Sequence, residues 1–115
     1  MKLYVEQKKS SVPVEVFIQL NIQGVSSQAD KFGIGFEIYD LNGKKVENRR
    51  MPKPVYTNDG GYKVAIAVTF DGEMKSTGSN PLTVLMTTFK PDIEAKFRFT
   101  VHYKHEQGTV RLQKF

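Results

Sequence analysis

The feature that most constrains this chain is a period of two. From Val14 to Gln23 the run VEVFIQLNIQ places Val14, Val16, Ile18, Leu20 and Ile22 on one side of an extended backbone. Glu15, Gln19, Asn21 and Gln23 fall on the other, with Phe17 the exception on that polar side. Successive side chains of a strand point to opposite faces, so such a run buries its apolar set only as part of a sheet whose other face meets water. The same period returns along the chain. GYKVAIAVTF groups Tyr62, Val64, Ile66, Val68 and Phe70 against Lys63, Ala65, Ala67 and Thr69. KFRFTVHY groups Phe97, Phe99, Val101 and Tyr103 against Lys96, Arg98, Thr100 and His102, and TVRLQKF points Val110 and Leu112 one way. Lys2 to Gln7 reads as an opening strand. PLTVLMTTF, from Pro81 to Phe89, is apolar on both faces, which suits a strand covered on both sides or one that changes sheets.

Gly, Asn, Asp, Ser and Pro punctuate these runs, and no segment of useful length carries a helical period with a cap. The expectation is therefore all-β: a single antiparallel β-sandwich of about seven to eight strands, its inner side chains forming a core about 10 Å thick. The chain of 115 residues has room for one such core, so 1–115 is expected to be a single β-sandwich domain. Within it, GIGFEIYDLNGKKV from Gly33 to Val46 predicts a hairpin, because Asn42-Gly43 supplies the two positive-φ residues of a type I′ turn. The longer links, Gly24 to Phe32, Glu47 to Gly61 and Asp71 to Asn80, are where binding is expected on a rigid frame.

The residues that chemistry needs are sparse. With no cysteine there is no disulfide, thiolate metal site or thiol nucleophile, and a reducing compartment is compatible. No apolar run approaches a membrane span and the opening MKLYVEQKKSS lacks a secretory stretch, so the chain is expected to be soluble and cytoplasmic. His102 and His105 should point to opposite faces, a poor metal pair. No serine sits in a Gly-x-Ser-x-Gly turn and the glycine clusters open no helix. Calcium would need carboxylates converging from several loops; Asp30, Asp40, Asp59, Asp71, Glu73 and Asp92 are scattered, with Asp59, Asp71 and Glu73 the set that could meet at one end. No catalytic constellation, cofactor or metal is expected.

Charge gives the one positive signal. Against 12 Asp and Glu stand 17 Lys and Arg, a formal charge of +5 that favours acidic surfaces. Lys44, Lys45, Arg49, Arg50 and Lys53 cluster on and after the hairpin, a candidate cationic patch for acidic phospholipid or an acidic protein loop. Lysines that keep an edge strand from pairing are the plainer reading. Nucleic acid is disfavoured, since exposed aromatics do not interleave with these cations. Tyr4, Tyr39 or Tyr56, if exposed, could stack on a sugar ring.

Two stretches carry a resemblance. FGIGFEIYDLNGKKV, followed by NPLTVLMTTFKPDIEAKFRFTVHY with its Thr88-Phe89-Lys90-Pro91 turn and Phe97-Arg98-Phe99-Thr100-Val101 strand, resembles the C2-like β-sandwich domain of calpains, also called domain III. The basic hairpin and Pro52/Pro54 look most like the calpain-7 and fungal pH-response branch. Calpains cut proteins with a Cys-His-Asn triad housed in other domains. The resemblance therefore implies a non-catalytic regulatory or binding module of a calpain-like cysteine protease, or a stand-alone relative. Such a module would contact a neighbouring protease domain, a protein partner or an acidic membrane surface. The acidic loop ascribed to this domain in typical calpains is missing here. The alternative is an assembly module pairing with another chain through an exposed edge strand, with Lys2 to Gln7 the candidate for exchange.

Overall fold

A computed structural model describes residues 1–23, 33–45, 52–61, 63–65, 67–88 and 96–114. The described residues form nine strands and no helix: β1 (Lys2–Gln7), β2 (Val14–Gln23), β3 (Gly33–Tyr39), β4 (Tyr56–Thr57), β5 (Lys63–Val64), β6 (Ala67–Met74), β7 (Leu82–Thr88), β8 (Lys96–Tyr103) and β9 (Gly108–Gln113). One sheet has six strands in the order β4-β3-β7-β1-β9, with β5 also paired to β3; the other is β6-β2-β8. Every pairing is antiparallel. The expected all-β sandwich is thus what forms, seven strands of six residues or more and two short ones.

The period of two decides the packing. Val14, Val16, Ile18, Leu20 and Ile22 of β2 are all buried, and they meet Leu3, Val5, Ile34, Phe36, Ile38, Val84 and Val110 of the larger sheet. Phe97, Phe99, Val101, Tyr103 and Leu112 close the core from its rim. On β2 and β8 the intervening Glu15, Gln19, Asn21, Lys96, Arg98 and His102 take the outer face, as the alternation of a strand requires.

Four expectations are corrected. First, GYKVAIAVTF is two strands: Lys63 and Val64 pair with β3 in the six-stranded sheet, whereas Ala67 onward pairs with β2 in the other. Tyr62 and Ile66 lie outside the described residues. It is this run that changes sheets, near Ala65. PLTVLMTTF stays in one sheet, with its outward Thr83 buried beneath the Asp40–Lys45 segment.

Second, the Asn42-Gly43 turn forms without its hairpin. Asn42 (φ 54°) and Gly43 (φ 79°) are both left-handed, and the Lys44 amide donates to the Leu41 carbonyl at 3.1 Å. Yet Lys44 and Lys45 are not strand, and Val46 lies outside the described residues. Both edges of β3 are already taken, by β7 on one side and β4 and β5 on the other, so the returning chain has no ladder to join. It lies instead over β7, where Thr83 Oγ1 donates to the Lys44 carbonyl at 2.7 Å.

Third, β1 is not an edge. It lies between β7 and β9, and past Leu3 the loop before β7 takes over the pairing. Thr77 N donates to the Val5 carbonyl (3.0 Å), and Gln7 N donates to Ser76 Oγ (2.7 Å). Fourth, the loop expected from Asp71 begins only after Met74, because Asp71–Met74 completes β6.

Candidate functional site

The sequence cluster divides in space. Lys44 and Lys45 are exposed and sit where β1 and β7 begin. Lys2 stands opposite Thr83 in the register, and Thr83 holds the Lys44 carbonyl, so three lysines from two distant segments share one corner of the six-stranded sheet. The Met1 amino group, whose residue accepts from Val84 N at 2.9 Å, is held below its ordinary pKa by burial and then by the charge of Lys45. Lys53 is also exposed but precedes β4, on the far side of β3. In the sheet order β4 stands two strand spacings from β7 and three from β1, about 10–14 Å. Arg49 and Arg50 lie outside the described residues. Of the cluster expected from the sequence, Lys44 and Lys45 stay together and Lys53 falls on the other side of β3, while Lys2, which the sequence did not single out, is brought in by the β1–β7 pairing.

Next to this corner a depression of about 290 Å³ is lined by Tyr4, Glu6, Ser76, Thr77 and Arg111, with the Arg111 guanidinium 4.1 Å from the centre of the Tyr4 ring. Of the loops singled out in the sequence, the described parts of two line a second depression, which includes Val55, Tyr56 and Lys75–Thr77; Gly24 to Phe32 lies outside the described residues. None of the three tyrosines presents a bare ring. Arg111 covers Tyr4, and Tyr56 packs on Phe70 with ring centroids 5.4 Å apart. Tyr39 is buried, and its hydroxyl donates to Glu37 Oε2 at 2.6 Å. Desolvation first, then the Glu37 carboxylate, pushes the Tyr39 phenol up to about 12.

The exposed ring is elsewhere. Phe17 stands on the outer face of the three-stranded sheet, between Asp71 of β6 and His102 of β8. Beside it Lys104 Nζ meets Glu15 Oε2 at 2.7 Å, and Gln107 Nε2 donates to the same oxygen at 2.9 Å. The sequence signal was available, since Phe17 broke the polar side of β2. His102 packs against Phe17 while His105 packs against Tyr103, whose side chain takes the opposite face. Of the acidic set, Asp30 and Asp92 lie outside the described residues, and Asp59 ties its turn to the edge of β6, its Oδ2 accepting the Asp71 amide at 3.3 Å and its own amide donating to the Thr69 carbonyl at 2.7 Å. Among the described residues no three His, Asp or Glu side chains gather in a metal-holding group, and no helix is long and apolar enough to cross a membrane.

No family model, curated protein or solved structure matches this chain.

Proposed function

We propose that this sandwich is a non-catalytic contact module, of the regulatory kind the calpain C2-like resemblance implies, that binds an acidic phospholipid surface through the corner formed by Lys2, Lys44 and Lys45. The observation that carries the reading is the Thr83–Lys44 hydrogen bond, which draws a segment rich in lysine onto the start of β7, next to Lys2 of β1. A rigid sheet then presents the cations together, and each lysine near an anionic bilayer contributes about 1 kcal/mol. The surface suited to it is the anionic cytoplasmic leaflet, which agrees with a chain free of cysteine. Attachment to a neighbouring protease domain would use the same lysines against an acidic protein surface.

Co-sedimentation with phosphatidylcholine vesicles containing phosphatidylserine tests this. Binding at low salt should fall steeply as salt shortens the screening length, and Lys44→Glu with Lys45→Glu should weaken it at least about tenfold. Equal binding by wild type and the double variant, or no binding by wild type at low salt, rejects the reading.

A further inference from the structure

The face opposite the lysine corner carries an unexplained feature. Phe17 is 38% exposed on the outer face of the three-stranded sheet, where its strand neighbours along β2 are Glu15 and Gln19. The register sets Asp71 directly across from it on one side and His102 directly across on the other. The imidazole leans on the phenyl ring with centroids 6.3 Å apart and planes inclined by 39°. Together with Glu15 and Lys104 these side chains line an open depression of about 320 Å³.

The hydrogen-bonding ledger of this depression decides what it suits. Glu15 and Lys104 are occupied with each other, and Gln107 adds a donor to Glu15, so that pair is neutral as a unit and its orientation is fixed. The Asp71 amide is bound by Asp59, which fixes the Asp71 backbone and leaves its carboxylate pointing outward without a partner among the described residues. His102 has the ring contact with Phe17 and no hydrogen bond among the described residues. The depression therefore offers one apolar ring flanked by an acceptor and by an imidazole that both donates and accepts, each about 5 Å away, one strand spacing.

We infer that this face is a binding site for a neutral saccharide. A pyranose has an apolar face of axial C–H groups, which lies on an aromatic ring, and a rim of equatorial hydroxyls that need acceptors and donors at its sides. Phe17 supplies the floor, Asp71 accepts from hydroxyls on one side, and His102 exchanges a hydrogen bond on the other. An anionic ligand would meet the Asp71 carboxylate, and a flat apolar partner would strand Asp71 and His102 without water. The site lies on the other sheet from the lysine corner and stands independently of it.

The test is a titration of the full chain, labelled with ¹⁵N, against cellotetraose, maltotetraose, chitotetraose and mannotetraose. Binding by at least one should shift amides around Phe17, Asp71 and His102 and leave those near Lys44 unmoved. Phe17→Ala, which removes a half-exposed ring, and Asp71→Ala, which removes the acceptor, should each lower that affinity at least tenfold while far-UV circular dichroism and melting temperature confirm the fold. Absence of shifts with all four sugars overturns the inference, as does wild-type affinity in Phe17→Ala.

Discussion

Phe36 of the six-stranded sheet meets Phe99 of the three-stranded sheet edge to face, their ring centroids 5.4 Å apart and their planes at 89°. The contact ties the two layers together; in its own sheet Phe36 stands opposite Met86 of β7, and Phe99 stands opposite Leu20 of β2. A perpendicular pair sets the positive edge of one ring against the negative face of the other, which adds about 0.5–1.5 kcal/mol to the area the rings bury.

Phe36 has no exposure at all, so Phe36→Ala leaves a cavity that neighbouring Ile34 and Ile38 cannot close without moving a ladder. The expected cost is about 3–5 kcal/mol in urea unfolding. Phe36→Leu should cost clearly less. A cycle with Phe99→Leu should show coupling near the value for an aromatic pair; additivity would mean that the rings merely share the core.

Asn58 should matter more than its place in a short loop suggests. It is 3% exposed, its Oδ1 accepts the Phe36 amide at 2.9 Å, and its Nδ2 donates to the Gly61 carbonyl at 2.5 Å. The side chain stands in for the next ladder bond after β4 ends. Asn58→Ala leaves a buried N–H of β3 unpaired, and a loss of about 1–3 kcal/mol is expected from the chemical denaturation midpoint. Faster hydrogen exchange at the Phe36 amide would locate the damage.

Gly108 is required by a close approach. It pairs with Gln7, and a Cβ there would run into the Glu6 carbonyl oxygen and come within 2.7 Å of Val14 Cγ2. The first of these is backbone and cannot step aside. Gly108→Ala should therefore destabilise by about 1–3 kcal/mol or more, read as a fall in melting temperature, whereas Gly78→Ala meets no atom and is opposed only by its φ of 69°.

These residues show what the sequence discloses and what it conceals. The alternation of β2 was legible in full because each side chain reports its own face, and the faces of β8 and β9 followed in the same way. Period two says nothing about which sheet a strand joins, so the crossing near Ala65 was invisible: alternation runs through it unbroken. The Asn42-Gly43 turn was legible because positive φ is a local demand, but the fate of its return arm depended on β3 having both edges occupied, a non-local fact. Lys2 joined Lys44 and Lys45 by strand pairing for the same reason. Phe17, by contrast, announced itself as a break in pattern.

Glu15 is held below the ordinary carboxylate range, first by hydrogen bonds from Lys104 and Gln107, against a smaller opposing effect of desolvation. A carboxylate whose folded pKa is depressed contributes stability that is present above its unfolded value, near 4.3, and is lost as pH falls through the lower folded value. Lys104, raised chiefly by its hydrogen bond to Glu15, behaves oppositely: its share is complete below about 10.4 and disappears as pH climbs beyond that. Both groups are exposed, so the effect is small and salt-sensitive. Glu15→Gln keeps the contact to Gln107 in shape but removes the titration. Comparing unfolding midpoints of wild type and Glu15→Gln between pH 7 and pH 3 should show the wild-type advantage shrinking toward zero as the pH drops. A gap that stays constant over that range would mean that Glu15 acts through shape alone, and that the Lys104–Glu15 pair beside Phe17 is not held by charge.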